Sequence, residues 1–234
     1  MYIKLNKKTG QYKVVQKTFR LRRFSFVIVF LIAVISSLAA PQEVQNSITG
    51  QPLPVSRINL LEKDLKRDFD YSKTIFKING IAYYLYQNYK HVTYDSALEI
   101  ATTVINAEDK YDIDYTIMLG LITVESHFNH NAVNEKSGAM GLSQILPEYW
   151  VDELKSVGII HHEKDLLKPK NNILGGYFIL SQYMKQKNGD LAKALYKYGG
   201  FSKRTEDKFK AYYNKVIKGS KNFQAIEDAL FANI

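Results

Sequence analysis

A single carboxylate interrupts an apolar stretch of this chain. Residues 115–126 read YTIMLGLITVES, apolar on nearly every side, as a helix central to a domain is. Glu125 lies on it. Leu121 and Ile122, four and three positions back, and Met118 beyond them share its face, so its neighbours on a helix are apolar. A carboxyl group placed there is desolvated, its pKa rises, and it keeps its proton near neutral pH. That is the state in which a general acid protonates a leaving oxygen; the carboxylate left behind can then act as a base. The same residue also reads as a helix-end glutamate facing solvent beside Ser126 and His127. The helix alone does not choose.

Other chemistries find less support. The chain has no cysteine, which removes disulfides, thiolate metal sites and cysteine nucleophiles together. Its five histidines, His91, His127, His130, His161 and His162, lack zinc-binding spacing, so no metal is expected. There is no phosphate-cradling loop and no nucleophile elbow, and no cofactor is implied. Asp112 and Asp114 precede the apolar helix and read as caps, whereas Glu135 lies in a loop. None is fixed as the second carboxylate that a two-acid glycosidase needs.

The residues after Glu125 decide between its two readings. Residues 125–147, ESHFNHNAVNEKSGAMGLSQILP, resemble the central signature of the lytic transglycosylases, the soluble-type (SLT) family related to goose-type lysozyme. The match falls at Glu125, Ser126, Phe128, Asn129, Ala132, Gly138, Ala139, Gly141, Leu142, Gln144, Ile145 and Pro147. The lead-in from Ala107 resembles the family too. So does the region from Asn172-Ile173 and Gly175-Gly176 to LAKALYKYGG at 191–200, where Tyr198 holds the place of a family tyrosine and Tyr196 is its rival. The resemblance covers about residues 95–205. It implies Glu125 as the catalytic residue, with Ser126, Asn134, Gly138, Ala139, Gly141, Ser143, Gln144 and Tyr198 binding substrate. This chain departs from the pattern in a loop one residue longer than usual, in Asn134 for a common serine, in Ser143 for the usual methionine, and in Gly199 for an asparagine.

The resemblance also implies a mechanism that needs one carboxylate. Glu125 protonates the oxygen between N-acetylmuramic acid and N-acetylglucosamine in peptidoglycan, then takes the proton of the C6 hydroxyl as that oxygen attacks the anomeric carbon. The product is a 1,6-anhydromuramyl end. Two alternatives stay open: a hydrolytic muramidase on the same fold, and a non-catalytic peptidoglycan-binding scaffold of an envelope apparatus.

The elements that must position Glu125 read as mainly α, a lysozyme-like domain preceded by a signal or anchor helix and an extra helical segment. Residues 57–90 suggest two helices broken near Asn79-Gly80. A helix capped by Thr93 or Asp95 runs to about Lys110, and Asp112 or Asp114 caps the Glu125 helix. Further helices are expected near 148–157, 172–187, 190–198 and 204–218. The Lys/Arg-rich surface of the last, Lys208 to Lys221, reads as a solvated face. The domain boundaries are then 1–23 for a basic leader, 24–40 for a signal peptide or membrane anchor, 41–56 for a linker, 57–90 for the accessory segment, 91–220 for the transglycosylase-like domain and 221–234 for a tail.

Charge points to topology. The net charge is +9, but eight of the 32 basic residues precede Phe24 and no acid precedes Glu43. The remainder, 24 basic against 23 acidic, is nearly neutral. A nucleic-acid binder carries its basic excess on the folded domain, so no nucleic-acid partner is expected. The apolar run Phe24–Ala40 directly follows Arg20, Arg22 and Arg23, and a positive flank stays cytoplasmic. The rest is therefore expected on the periplasmic or cell-surface side, secreted or held at the inner membrane through 24–40, with peptidoglycan as partner and room for an envelope-spanning assembly partner.

Overall fold

The computed structural model describes residues 2–5, 12–15 and 55–232. The apolar run 24–40 and most of the expected linker lie outside the described residues. Among those described, no helix is long and apolar enough to cross a membrane. Two short strands, β1 (Tyr2–Leu5) and β2 (Tyr12–Val15), pair with each other. From residue 55 onward the regular elements are helices, joined by loops of which 126–146 carries two isolated β-bridges.

The accessory segment is one helix, α1 (Val55–Asn88), where two were expected. Gly80 does not break it, because packing outweighs glycine's low helix propensity. A side chain at residue 80 would strike Leu230, so this glycine serves close approach. α1 is divided between two compact units, Val55–Phe76 belonging to one and Lys77–Asn88 to the other. In the first, Leu60 and Tyr71 are well exposed and Arg67 pairs with Asp64 at 3.1 Å.

In the second unit, α2 (Tyr94–Tyr111) starts at Thr93, whose hydroxyl accepts the Ser96 N–H at 3.2 Å. It ends at Asp112, in the left-handed region at φ 53°. Asp114, not Asp112, caps α3 (Tyr115–Glu125), accepting the Thr116 N–H at 2.7 Å. α4 (Pro147–Ser156), α5 (Pro169–Gln186) and α6 (Leu191–Tyr198) come next, near their expected positions. The last helix, α7 (Glu206–Phe231), runs well beyond its expected end at 218, to Phe231. The expected tail at 221–234 is helical through Phe231 and buries Phe223, Ile226 and Leu230. Their three- and four-residue spacing continues the buried stripe of Val216, Gly219 and Ser220, so the helix gains core contact with each turn.

α3 is the central element. Met118, Leu119, Leu121 and Ile122 are fully buried, each stabilising the fold by roughly 1.5–3 kcal/mol. α7 crosses α3 at glycine: a side-chain carbon on Gly219 would lie 2.9 Å from the Gly120 Cα. The two helices run antiparallel, with the Thr116 and Ser220 hydroxyls 2.8 Å apart and the Tyr115 hydroxyl donating to Glu227 farther along. Lys77 of α1 completes that end, its Nζ 2.7 Å from Glu227. On the other side, the Tyr177 hydroxyl of α5 donates to the Val104 carbonyl of α2 at 2.9 Å.

Candidate active site

Glu125 is the last residue of α3. Two effects at this position work against its ionised form. Helix C-termini carry partial negative charge, which disfavours a nearby anion. The larger is desolvation by the surrounding protein, which pushes the carboxyl from the usual 4.5 up to about 7, against the lowering effect of a hydrogen bond from Tyr212. At neutral pH the group is therefore divided between acid and base forms. Among the described residues, no second carboxylate contributes to this shift.

Tyr212 is the partner that sequence reasoning missed. Its hydroxyl donates to Glu125 Oε1 at 2.6 Å. The helix crossing explains the meeting. Going from Gly120 to Glu125 moves about 7 Å along α3, and going back from Val216 to Tyr212 moves about 6 Å the same way along antiparallel α7. Phe201 steadies the phenol ring at 5.1 Å between centroids. Desolvation, with the nearby Glu125 charge, raises the Tyr212 pKa well above the usual phenol value, so Tyr212 stays a donor. The signal for it lay in the spacing of Phe209, Tyr212, Val216 and Gly219, an apolar stripe beneath the lysines.

After Glu125 the backbone turns through His127 (φ 51°) and Phe128 (φ 62°), both left-handed without being glycine. Such residues cost about 1–2 kcal/mol each. Burial of the Phe128 side chain, which is 0% exposed, offsets this cost.

The loop 129–146 then folds on itself. The Asn134 carbonyl accepts the Gly138 N–H at 2.7 Å, and its side chain accepts the N–H groups of Lys136 and Ser137. Asn134 is exposed, and these bonds make it the organiser of a turn. Gly138 takes φ 72° at the tip. Ala139 is buried and pairs with Asn134 through its carbonyl. Gly141 takes φ 77°, and a side chain there would collide with Asn172 and the Leu166 carbonyl.

Asn172, fully buried, ties this loop to α5. Its amide donates to the carbonyls of Met140 (2.9 Å) and Leu166 (2.6 Å), and its oxygen accepts the Ser143 N–H (2.7 Å). Ser143 is also fully buried, and its hydroxyl has no hydrogen-bond partner among the described residues. Gln144, at φ 48°, directs its amide N–H inward to the carbonyls of Gly141 (3.0 Å) and Ala132 (3.3 Å). Its donors thus hold the loop together.

Tyr198, at the end of α6, donates to the Ser143 carbonyl at 2.8 Å. The Glu125 charge contributes to raising its pKa, after desolvation. Tyr196 packs instead against Phe209 and Phe201, with centroids 5.0 and 6.1 Å away. Ser126 caps α3 through its backbone N–H, bonded to the Ile122 carbonyl at 3.1 Å. Glu125 at the end of α3, Tyr198 at the end of α6 and Tyr212 in the second turn of α7 are thus drawn together. Gly141, Ser143 and Gln144 form the loop framework behind Tyr198, and Asn134 and Gly138 lie at that loop's outer turn. Among the described residues, no group of three or more histidine or acidic side chains is placed to hold a metal ion.

The arrangement supplies one protonatable carboxyl with a tyrosine donor. Among solved structures, that of an inactive mutant of the lytic transglycosylase Slt from Pseudomonas aeruginosa is similar in part, at 20% identity and a TM-score of 0.41. The similarity covers 56% of this chain and 23% of that one, so this chain spans less than a quarter of its length. The model of the family described as "Transglycosylase SLT domain" matches residues 102–220, a little over half of the sequence. The chain belongs to the transglycosylase SLT domain family.

Proposed function

We propose that this protein is a peptidoglycan lytic transglycosylase. Its reaction breaks the β-1,4 bond between N-acetylmuramic acid and N-acetylglucosamine, with Glu125 as the single acid and base. The observation that carries this reading is the Glu125 carboxyl itself: desolvated and so pushed up to about 7, bonded by a tyrosine, and with no second acid beside it among the described residues. A carboxyl that holds its proton at neutral pH can give it to the glycosidic oxygen as the bond to the anomeric carbon breaks. The resulting carboxylate then takes the proton of the muramyl C6 hydroxyl. That oxygen closes on the anomeric carbon and leaves the 1,6-anhydro end, so Glu125 recovers its proton and no water is consumed.

Tyr212 donates to the carboxylate form and so keeps the group from becoming too poor an acid. Export, with the folded part on the periplasmic or cell-surface side and tethering or secretion through residues 24–40, belongs to the same proposal. It rests on the basic leader and the apolar run after it.

The test is incubation of the full-length protein with purified peptidoglycan, with released ends identified by mass spectrometry beside a Glu125→Gln variant. Anhydromuramyl ends that disappear in the variant are expected. Reducing muramyl ends would make the protein a hydrolase. No release, with the protein still sedimenting with the glycan, would make it a binding scaffold.

A further inference from the structure

The family match begins at residue 102, yet the turn that ends the Glu125 helix is held from upstream of it. The Tyr89 ring meets the Phe128 ring edge-on, with centroids 4.6 Å apart. His91 Nε2 lies 2.9 Å from the His127 carbonyl oxygen. A carbonyl only accepts, so His91 donates through Nε2–H, which both the neutral Nε2–H tautomer and the imidazolium can do. Phe223 of α7 closes the far side, 6.0 Å from Phe128 and 5.5 Å from Tyr84 of α1.

The loop bearing Tyr89 and His91 is itself anchored. Its ends are tied by the Tyr89 N–H to the Leu85 carbonyl (3.0 Å) and the Val92 N–H to the Tyr89 carbonyl (2.9 Å), and Val92 is buried. These contacts fall on His127 and Phe128, the two left-handed residues that come two and three positions after Glu125. A turn held in a sparsely populated conformation relaxes when its restraints are removed. Here relaxation would loosen the Ser126 N–H to Ile122 carbonyl bond that closes the last turn of α3.

We propose that Tyr89 and His91 are positioning residues for the catalytic acid, clamping the 127–128 turn so that the Glu125 carboxyl stays turned toward Tyr212. The proposal rests on Glu125 being that acid, and through Tyr89 it gives the end of the accessory segment a task in the reaction, as a brace.

Three variants of the full-length protein test it: His91→Ala, Tyr89→Leu and His91→Gln, whose side-chain amide keeps an N–H donor. The readouts are kcat and KM for release of soluble glycan, and the ionisation of Glu125 followed by carboxyl ¹³C NMR, with Glu125→Gln assigning the signal. His91→Ala and Tyr89→Leu are expected to lower kcat about tenfold with KM changed less than about twofold, as misorientation of one reacting group does. Water admitted to the carboxyl should also move its midpoint from about 7 toward the ordinary glutamate range. His91→Gln should keep the midpoint and most of kcat.

An unchanged kcat and midpoint in both His91→Ala and Tyr89→Leu overturns the clamp. So does equal damage from Gln and Ala at position 91, which would mark a packing role. If His91→Ala does not fold, Tyr89→Leu and His91→Gln decide the matter. A wild-type protein that releases no glycan, but whose Glu125 midpoint still falls in His91→Ala, refutes the functional reading and leaves the clamp in place.

Discussion

Replacing Tyr212 by phenylalanine removes one hydroxyl and leaves the ring that packs on Phe201. The lost bond runs from the phenol to Glu125 Oε1 over 2.6 Å. A hydrogen bond to an ionised group stabilises by roughly 1.5–3 kcal/mol, and one to a neutral group by about half that. The ionised form of Glu125 therefore loses about 1–1.5 kcal/mol more than the protonated form, close to one pKa unit at about 1.4 kcal/mol per unit. The hydrogen bond lowers the pKa now, so its removal lets desolvation act alone and the midpoint rises from about 7 by about one unit. A general acid must be protonated in the free enzyme, so kcat/KM falls as pH rises through the Glu125 pKa. The descending limb of the profile, measured by release of soluble glycan from peptidoglycan, should move about one unit to higher pH in Tyr212→Phe. The plateau should drop about tenfold because the carboxyl is less well oriented. A limb that stays in place or moves to lower pH, with the plateau intact, would refute the role given to this hydroxyl.

Three further outcomes concern stability. The native-state pKa of Glu125 lies above its ordinary value, so the native protein holds a proton that the unfolded chain has lost. This contribution is present below pH 4.5 and is lost as pH rises through about 7. Glu125→Gln should consequently be more stable than wild type by up to about 3 kcal/mol at pH 8, with the difference gone at pH 4, as read by urea unfolding at both values. Asn172→Ala removes its bonds to the Ser143 N–H and to the Leu166 and Met140 carbonyls, of which the Met140 carbonyl keeps the Ile145 N–H, and should cost about 3 kcal/mol in thermal or urea unfolding. Ser143→Ala removes a buried hydroxyl that has no partner among the described residues and should be neutral or stabilising by up to about 1 kcal/mol in the same assay.

The burial of the Glu125 carboxyl was legible in the sequence because its signal is local: one acid among Met118, Leu121 and Ile122. The caps were legible to within two candidates each, Thr93 or Asp95 and Asp112 or Asp114, because a cap acts on residues two or three positions away; the structure selects Thr93 and Asp114. Tyr212 was not legible, because it meets Glu125 only through the crossing of α3 and α7. Lys208, Lys210, Lys215, Lys218 and Lys221 are exposed as expected, and their charge hid the stripe running under them. The same masking placed the end of the helix at 218 instead of Phe231. Gly80 misled in the opposite direction: propensity suggests a break where the contact with Leu230 explains the residue. Gln144 matched the family motif in type and position, but its amide donors are spent on backbone carbonyls. Hydrogen-bond direction of that kind cannot be read from spacing.

The crossing at Gly120 and Gly219 also behaves as a caliper. Most packed helices are separated by a layer of side chains that can shift rotamers and absorb a small displacement. Here backbone lies against backbone, so the fulcrum has no cushion. The jaws of the caliper are the Glu125 carboxyl and the Tyr212 hydroxyl, each less than two helical turns from the contact. A displacement of one helix against the other reaches the jaws almost undiminished, and a 2.6 Å hydrogen bond tolerates only a few tenths of an ångström. The smallest residues in the domain thereby set the tightest tolerance in the site, and the acidity of Glu125 becomes a gauge of how closely two helices far larger than itself are pressed together.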